Sequence, residues 1–336
     1  MREKLFREYL LSKGFSTEQI QQHVDSIQKI ENHLHRNVAT LDLANLNSSS
    51  VQAVVDDLID SGENTLDHLV ILLRYADACD NQDMYVTIFE MLDGFEAMDN
   101  LYKKLGDMVG DELRDIIFED LPLPPLGLSK REKSRYTYRV IRRMEDIFEA
   151  QICRDVLADS LRDLPNSYYE AHKIDFYQRC DGDIDQYLHL KKERFLETLR
   201  EHQRRGVLFF GQEITDEVIG FVNQGPEIGG GVRHGNIIYE TKIPYNTKAF
   251  LRETDLKTKR YHSCHCPWVK ESLRRETLKI SDVFCQCSAG FHKKPYEVIF
   301  DQTLHTEVLK CVLHGDEHCR FAIYLPDSYG SRTEMV

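Results

Sequence analysis

Apolar residues recur at helical spacing through the first 110 positions. Leu5, Phe6, Tyr9 and Leu10 mark a short helix, and Gly14 follows it as a C-cap. Ser16 then reads as an N-cap, followed by Glu18 and Gln19, with Ile20, Val24, Ile27 and Ile30 along one face. Ser48 to Ser50 start a third helix through Val51, Val54, Val55 and Leu58, which closes near Gly62. Two further helices are predicted from Thr65 through Ala78 and from Asp83 through Leu105, with Asn81-Gln82 as the turn between them. Leu121-Pro-Leu-Pro-Pro-Leu-Gly127 interrupts this run, because each proline disfavours helix on both of its sides. A long helix is predicted from Ser129 to Leu157 (Tyr138, Ile141, Met144, Ile147, Phe148), then a pair divided at Asp181-Gly182-Asp183. The second of the pair carries Ile184, Tyr187, Leu188, Phe195, Leu196 and Leu199 on one face and ends at Gly206. Its basic end, His202-Gln-Arg-Arg205, complements the helix dipole and reads as a solvated terminus.

After Gly206 the pattern changes. Val207-Leu-Phe-Phe210 reads as a buried strand, Thr215 caps a short helix to Val222, and Asn236 to Ile243 reads as a strand ended by Pro244. Ser288 to Phe300 is predicted helical, with Pro295 in its middle. Leu304 to Leu313 and Cys319 to Leu325 read as strands joined by a His314-Gly-Asp-Glu-His318 hairpin. The expected fold class is α+β: a helical N-terminal bundle and a C-terminal domain with an antiparallel sheet. The expected organisation is an acidic helical domain over 1–120, a helical connector over 128–206, an α+β domain over 207–326 and a tail over 327–336.

Length and composition agree with two domains that each bury a core: 336 residues, 41% apolar and 29% charged. No window holds eighteen uninterrupted apolar residues, and the N-terminus mixes acids and bases without a cleavage site, so a cytoplasmic chain without membrane contact is expected. The charge is uneven. Residues 1–110 carry 9 Lys and Arg against 19 Asp and Glu, while residues 251–336 carry 13 against 12. So acidic an N-terminal part is a poor match for a phosphate backbone, which excludes nucleic acid from the expected partners. It offers instead a surface for a homodimer or another protein partner.

Cysteine changes the picture most. Six of the nine cysteines lie between Cys264 and Cys319, whereas Cys79, Cys153 and Cys180 are scattered along helices and read as small buried hydrophobes. In a reducing compartment a local cluster points to metal or catalysis rather than disulfides. It reads Cys264-His-Cys266-Pro-Trp268, Cys285-Gln-Cys287, Cys311 and Cys319. Thiolates are soft donors that suit zinc, with an iron–sulfur cluster as the alternative. The spacing lacks the CxxC pairs of zinc ribbons and does not choose four ligands from six. Gly229-Gly-Gly231 lacks the companions of a phosphate loop and reads as a turn, and Lys293-Lys294 reads as a solvated helix face.

Two resemblances add expectations. The stretch YLLSKGFSTEQIQQHVDSI resembles the SAM-like helical domain that precedes the catalytic part of tyrosine recombinases, here in an acidic version suited to protein interaction. Phe284-Cys-Gln-Cys-Ser-Ala-Gly-Phe291, the helix after it, and Glu307 through Ile323 resemble the end of a 4-vinyl-reductase domain, which also serves as the ligand-sensing domain of phenol-responsive regulators. That resemblance implies a structural zinc beneath a buried ligand pocket, with Cys311 and Cys319 as ligands. It leaves the rest of the set between Cys285, Cys287 and Glu307; the preferred set is Cys285, Cys287, Cys311 and Cys319. Tyr261 and Trp268 would lie on the pocket side. The framework is also similar to the L-2-amino-thiazoline-4-carboxylic acid hydrolase family. Under that resemblance Cys264 or Cys266 with His262 or His265 would form a thiolate–imidazole pair. If the segment is a strand, His262, Cys264 and Cys266 share a face and His265 points away. The expected function is small-molecule binding as a sensor or carrier, with a cysteine-dependent hydrolase as the alternative.

Overall fold

The computed structural model describes residues 1–37, 42–162, 164–275 and 277–327, so the expected tail lies outside the described residues except for Asp327. The fold is α+β, mostly helical, with one small antiparallel sheet near the C-terminus. The chain forms two compact units: Met1–Phe95 with Leu123–Lys133, and Glu96–Pro122 with Ser134–Val336.

The first unit holds α1 (Glu3–Ser12), α2 (Thr17–Asn37), α3 (Ser48–Asp60), α4 (Leu66–Ala78) and α5 (Gln82–Leu92). Side chains of the expected chemistry start these helices. Ser16 and Gln19 form a reciprocal capping box, Thr65 accepts from the His68 N–H, and Asn81 accepts from the Met84 N–H. The apolar faces meet in one core around Phe6, Val24, Ile27, Val55, Leu69 and Tyr75. The proline-rich segment packs back onto this unit rather than leaving it. Asn64 donates to the Leu126 carbonyl at 2.9 Å, and a Cβ on Gly127 (φ +95°) would stand 2.5 Å from Val55 Cγ1. Lys133 is 2% exposed and its ammonium donates to the carbonyls of Glu90 and Met91, the last turn of α5.

The second unit opens with α6 (Ala97–Val109) and α7 (Asp111–Phe118). The single helix expected over Asp83–Leu105 is two, α5 and α6, and the chain turns between them at Asp93, whose backbone is extended. Then follow α8 (Lys130–Ile147), whose first turn belongs to the first unit, and α9 (Ala150–Ala158). These replace the single helix expected over Ser129–Leu157, because Glu149 is extended (ψ 150°). α10 (Glu170–Ile174) and a π turn lead to α11 (Ile184–Arg205), which Asp183 caps at its start and Gly206 closes in the left-handed region. Val207–Phe210 is not a strand. Phe210 takes φ 47° and a tight turn forms with a bridge between Phe209 and Gln212, which leaves Val207 and Phe210 exposed.

Next come α12 (Asp216–Gln224), β1 (Val232–His234), β2 (Ile237–Thr241), α13 (Thr247–Arg252), α14 (Leu256–Ser263), α15 (Gln286–Phe300), β3 (Thr306–Lys310) and β4 (Arg320–Tyr324). The sheet order is β1-β2-β4-β3, antiparallel throughout, with Ile238 opposite Ile323 and Val308 opposite Phe321. The glycine run before β1 is a packed turn: a Cβ on Gly229 would lie 2.1 Å from the Phe195 ring of α11. Lys192 of α11 secures the same loop by donating to the carbonyls of Val222, Gly225 and Ile228. Lys293 is not on a solvated face. It is 4% exposed, donates to the Leu304 carbonyl at 3.0 Å and pairs with Glu297 at 2.6 Å, so it ties α15 to the chain entering β3. Among the described residues no helix is long and apolar enough to cross a membrane.

Candidate functional site

The six clustered cysteines arrive from four separate places in the second unit. Cys264 follows the last turn of α14, a helix started by Asp255, and Cys266 lies two residues on. Cys285 ends a 3-10 turn capped by Ser281, and Cys287 sits in the first turn of α15. Cys311 ends β3, and Cys319 immediately precedes β4. Cys264, Cys285, Cys311 and Cys319 are buried in one apolar cluster with Trp268, Phe284 and Phe321, while Cys266 and Cys287 are half-buried against its side. Cys153 and Cys180 are buried, Cys79 half-buried, and all nine thiols are free.

Within that cluster the neighbouring Cys285 holds the Cys311 thiol below its usual pKa, while Cys311 and burial push Cys285 well above it. Backbone N–H groups also aim at the sulfurs: those of His314, at 3.4 Å, and Leu313 at Cys311, that of Val312 at Cys319, and that of Leu161 at Cys287, also at 3.4 Å. Such donors favour the thiolate, and burial opposes them. Desolvation raises Cys264, Cys266 and Cys287 and pushes Cys319 up to about 12.

The six thiols do not all share one neighbourhood. Cys264, rather than Cys287, shares the electrostatic neighbourhood of Cys285, Cys311 and Cys319. Cys287 instead neighbours Cys266 and faces Leu161. Glu307 stands away from the thiols, exposed on β3, with His305 Nε2 3.3 Å from its carboxylate. Among the described residues no three His, Cys, Asp or Glu side chains stand in a ready-made metal-holding arrangement. Sulfurs from four segments nonetheless lie in one buried cluster, with the His314 N–H 3.4 Å from the Cys311 sulfur.

The settings of His262 and His265 oppose activation of a thiol. Residues 261–263 finish α14, so the segment is no strand and its side chains do not alternate between two faces. His265 Nε2 lies 2.6 Å from the Ile243 carbonyl, which only accepts, so that nitrogen carries the proton. Burial, with Lys242 next, pushes its pKa well below the usual value. His262 is lowered by burial and by Lys270 and Arg274. With Cys264 and Cys266 both raised, these groups are poised opposite to a nucleophilic cysteine and its base. Tyr261 donates to Glu271 at 3.0 Å and its ring faces Arg274; Trp268, 2% exposed, packs 6.4 Å from Tyr136. Both belong to the core.

An open groove of about 1080 Å³ lies between α9 and the edge strand β3. Gln151, Arg154, Asp282, Glu307 and Lys310 line it, and Cys311 reaches it from the thiol cluster.

Sequence reasoning missed a second buried constellation. Glu240 of β2 is 5% exposed and accepts from Lys191 of α11, from the Tyr296 hydroxyl of α15 at 2.6 Å, and from His292 Nδ1 at 2.6 Å. Burial alone would raise its carboxyl, but Lys191 and His292 overcome this and hold it at about 2. Nearby, the Tyr187 hydroxyl meets His172 Nδ1 at 2.9 Å, and burial followed by Lys191 lowers that histidine to about 4. The signal was present in the strand: Ile238 faces the core, and period two puts Glu240 there with it.

The model of one protein family, described as a family of unknown function (DUF6144), matches residues 240–329. That span runs from β2 to just beyond β4 and contains all six clustered cysteines. No curated protein and no solved structure matches the chain.

Proposed function

We propose that the C-terminal part of the second unit is a zinc-stapled α+β module that binds a small molecule in the groove beside β3, as a sensor or carrier. The ligands of this reading are Cys264, Cys285, Cys311 and Cys319. One observation carries it: these four cysteines, from four segments, are buried in one cluster in which the His314 N–H points at the Cys311 sulfur at 3.4 Å. Zinc there would act as a cross-link, holding the end of α14, the turn before α15 and both ends of the β3–β4 hairpin. The adjoining groove, with charges of both signs and a thiol at its inner end, supports the binding role. A cytoplasmic setting, where thiols stay reduced, and a protein partner or second copy on the acidic first unit complete the reading.

Metal content of the full chain tests it, with aerobic and anaerobic preparations and the variants Cys264→Ser and Cys287→Ser. The expected result is about one zinc per chain, lost in Cys264→Ser and kept in Cys287→Ser. Loss in Cys287→Ser with retention in Cys264→Ser would restore the set Cys285, Cys287, Cys311 and Cys319. Iron with acid-labile sulfide would replace zinc by an iron–sulfur cluster. Metal-free protein from both preparations would sink the proposal.

A further inference from the structure

The exposed arginines of α8 and α11 are set differently. On α11, Arg200 and Arg204 are interleaved with Glu197 and Glu201 and pair with them, the mark of a solvated face. On α8, Arg135, Arg139 and Arg142 stand exposed at i, i+4 and i+7 and so share one face. Among the described residues none of these three makes an ion pair. Arg142 donates to the Tyr138 hydroxyl at 3.0 Å, and Asp146, one turn on, is the acid that acts on it. Like charges at this spacing repel, so anions from outside the helix stabilise the face. Guanidinium forks match carboxylates in geometry as well as charge. The chain itself holds a surface of that chemistry. Residues 37–73 contain no Lys or Arg against six Asp and Glu. Asp56 and Asp60 lie exposed at i and i+4 on α3, and exposed Glu63 comes seven residues after Asp56 in the turn before α4, which repeats the spacing of the three arginines. Their partners within the chain are neutral or distant: the Gln52 amide at Asp56, and His68, 3.8 Å from Glu63. Leu66, 45% exposed at the start of α4, adds an apolar contact. A nucleic acid would have to approach a chain of net charge −13, whereas a second copy brings the acidic turn with it.

We propose that the arginine face of α8 docks the acidic α3–α4 turn of a second copy of this chain, each copy giving one surface and receiving the other, so that the pair closes as a dimer. Single exposed ion pairs contribute little, but here three act in register and the contact is made twice. This rests on the reading of the acidic first unit as a partner surface and is independent of the zinc.

Sedimentation velocity of the full chain tests it, at low salt and at about 0.5 M salt, where exposed charges are screened. Wild type should be a dimer at low salt and dissociate at high salt. Arg139→Glu/Arg142→Glu and Asp56→Arg/Asp60→Arg each set like charges against one another at both contacts, and each alone should weaken self-association at least about tenfold. Mixed one to one, the two variants meet with opposite charges at both contacts, and the mixed dimer should return to within about threefold of wild type. All four positions are exposed, so the variants keep the fold, which circular dichroism checks. If a reversed variant fails to fold, Arg139→Gln/Arg142→Gln, which removes the charge without reversing it, decides in its place by the same loss of association. A wild type that stays monomeric overturns the proposal, and if that monomer binds a short DNA duplex while the arginine variant does not, the face belongs to phosphate. A dimer lost in the aspartate variant but kept in the arginine variant overturns the arginine face and leaves the acidic first unit as a partner surface. Failure of the mixture to restore the dimer overturns the pairing of the two surfaces.

Discussion

Two glycines inside helices of the second unit should answer the same substitution with opposite signs. Gly290 lies in α15 where it crosses the end of α9, and a Cβ built there meets the Ala158 carbonyl oxygen at 2.3 Å, the Ala158 carbonyl carbon at 2.8 Å and the Ser160 nitrogen at 2.8 Å. All three are backbone atoms, so no side chain can swing aside, and ordinary contact requires α9 and α15 to separate by about 1 Å. Alanine gains about 1 kcal/mol over glycine as a helix former. Forcing an extra methyl into a close-packed interface costs about 1–3 kcal/mol or more. Gly290→Ala should therefore lose roughly 2 kcal/mol net, a fall of about 4–8 °C in melting temperature for a unit of this size. Gly220 in α12 has nothing within 4 Å of its Cβ position, so Gly220→Ala keeps the helix gain and should stabilise by about 0.5–1 kcal/mol. Urea and thermal unfolding followed by circular dichroism would measure both. The shift at Gly290 has a local reporter as well: Leu161, three residues beyond Ala158, hydrogen-bonds Cys287, so that thiol should react faster with a maleimide in Gly290→Ala. A neutral or stabilised Gly290→Ala, or two variants that move together, would refute the reasoning.

Acid should weaken the second unit through His172. Its pKa falls from 6.5 unfolded to about 4 folded, so its contribution is complete above pH 6.5 and is lost as pH drops towards 4. The loss amounts to roughly 3 kcal/mol at most, and His172→Gln should flatten the stability profile in that window without changing its course above pH 7. A profile unchanged by the substitution would remove His172 as the cause. Glu240→Leu should destabilise by about 3–5 kcal/mol, because Lys191 is left without its buried partner, and the double variant Glu240→Leu/Lys191→Met should recover a large part of that loss in urea unfolding. A double variant as unstable as the sum of its parts would show that the pair is not coupled.

The helices that announced themselves did so by their ends. Ser16, Thr65 and Asp183 cap helices with the bonds their side chains predict, and Gly206 closes α11 in the conformation only glycine adopts easily. What was invisible was the interruption of a continuing apolar pattern. Met91, Leu92, Phe95 and Met98 keep helical spacing straight through the turn at Asp93, and Ile147 and Phe148 do the same at Glu149, so periodicity alone joins what the backbone separates. Lys293 was misplaced because a charge next to Lys294 looks like a solvated pair, whereas its partner, the Leu304 carbonyl, is known only once the chain has turned back. The thiol cluster shows the same division. Sequence counted six cysteines, but which of them share a neighbourhood depends on the end of α14 meeting the chain between β3 and β4, where Arg260 donates to the Val312 carbonyl, a matter of tertiary packing rather than spacing.

The sheet order carries a consequence for how the unit assembles. β2 and β4 are the two inner strands and pair with each other, yet β2 ends at Thr241 and β4 begins at Arg320. During synthesis β2 must wait with its inner edge unpaired until β4 emerges. Cys319 enters its surroundings at this late step, since Thr241 pairs with Arg320 and the Lys242 N–H donates to the Cys319 carbonyl. Chains truncated before residue 319 should remain protease-sensitive over β1 and β2, and chains that include β4 should be protected there.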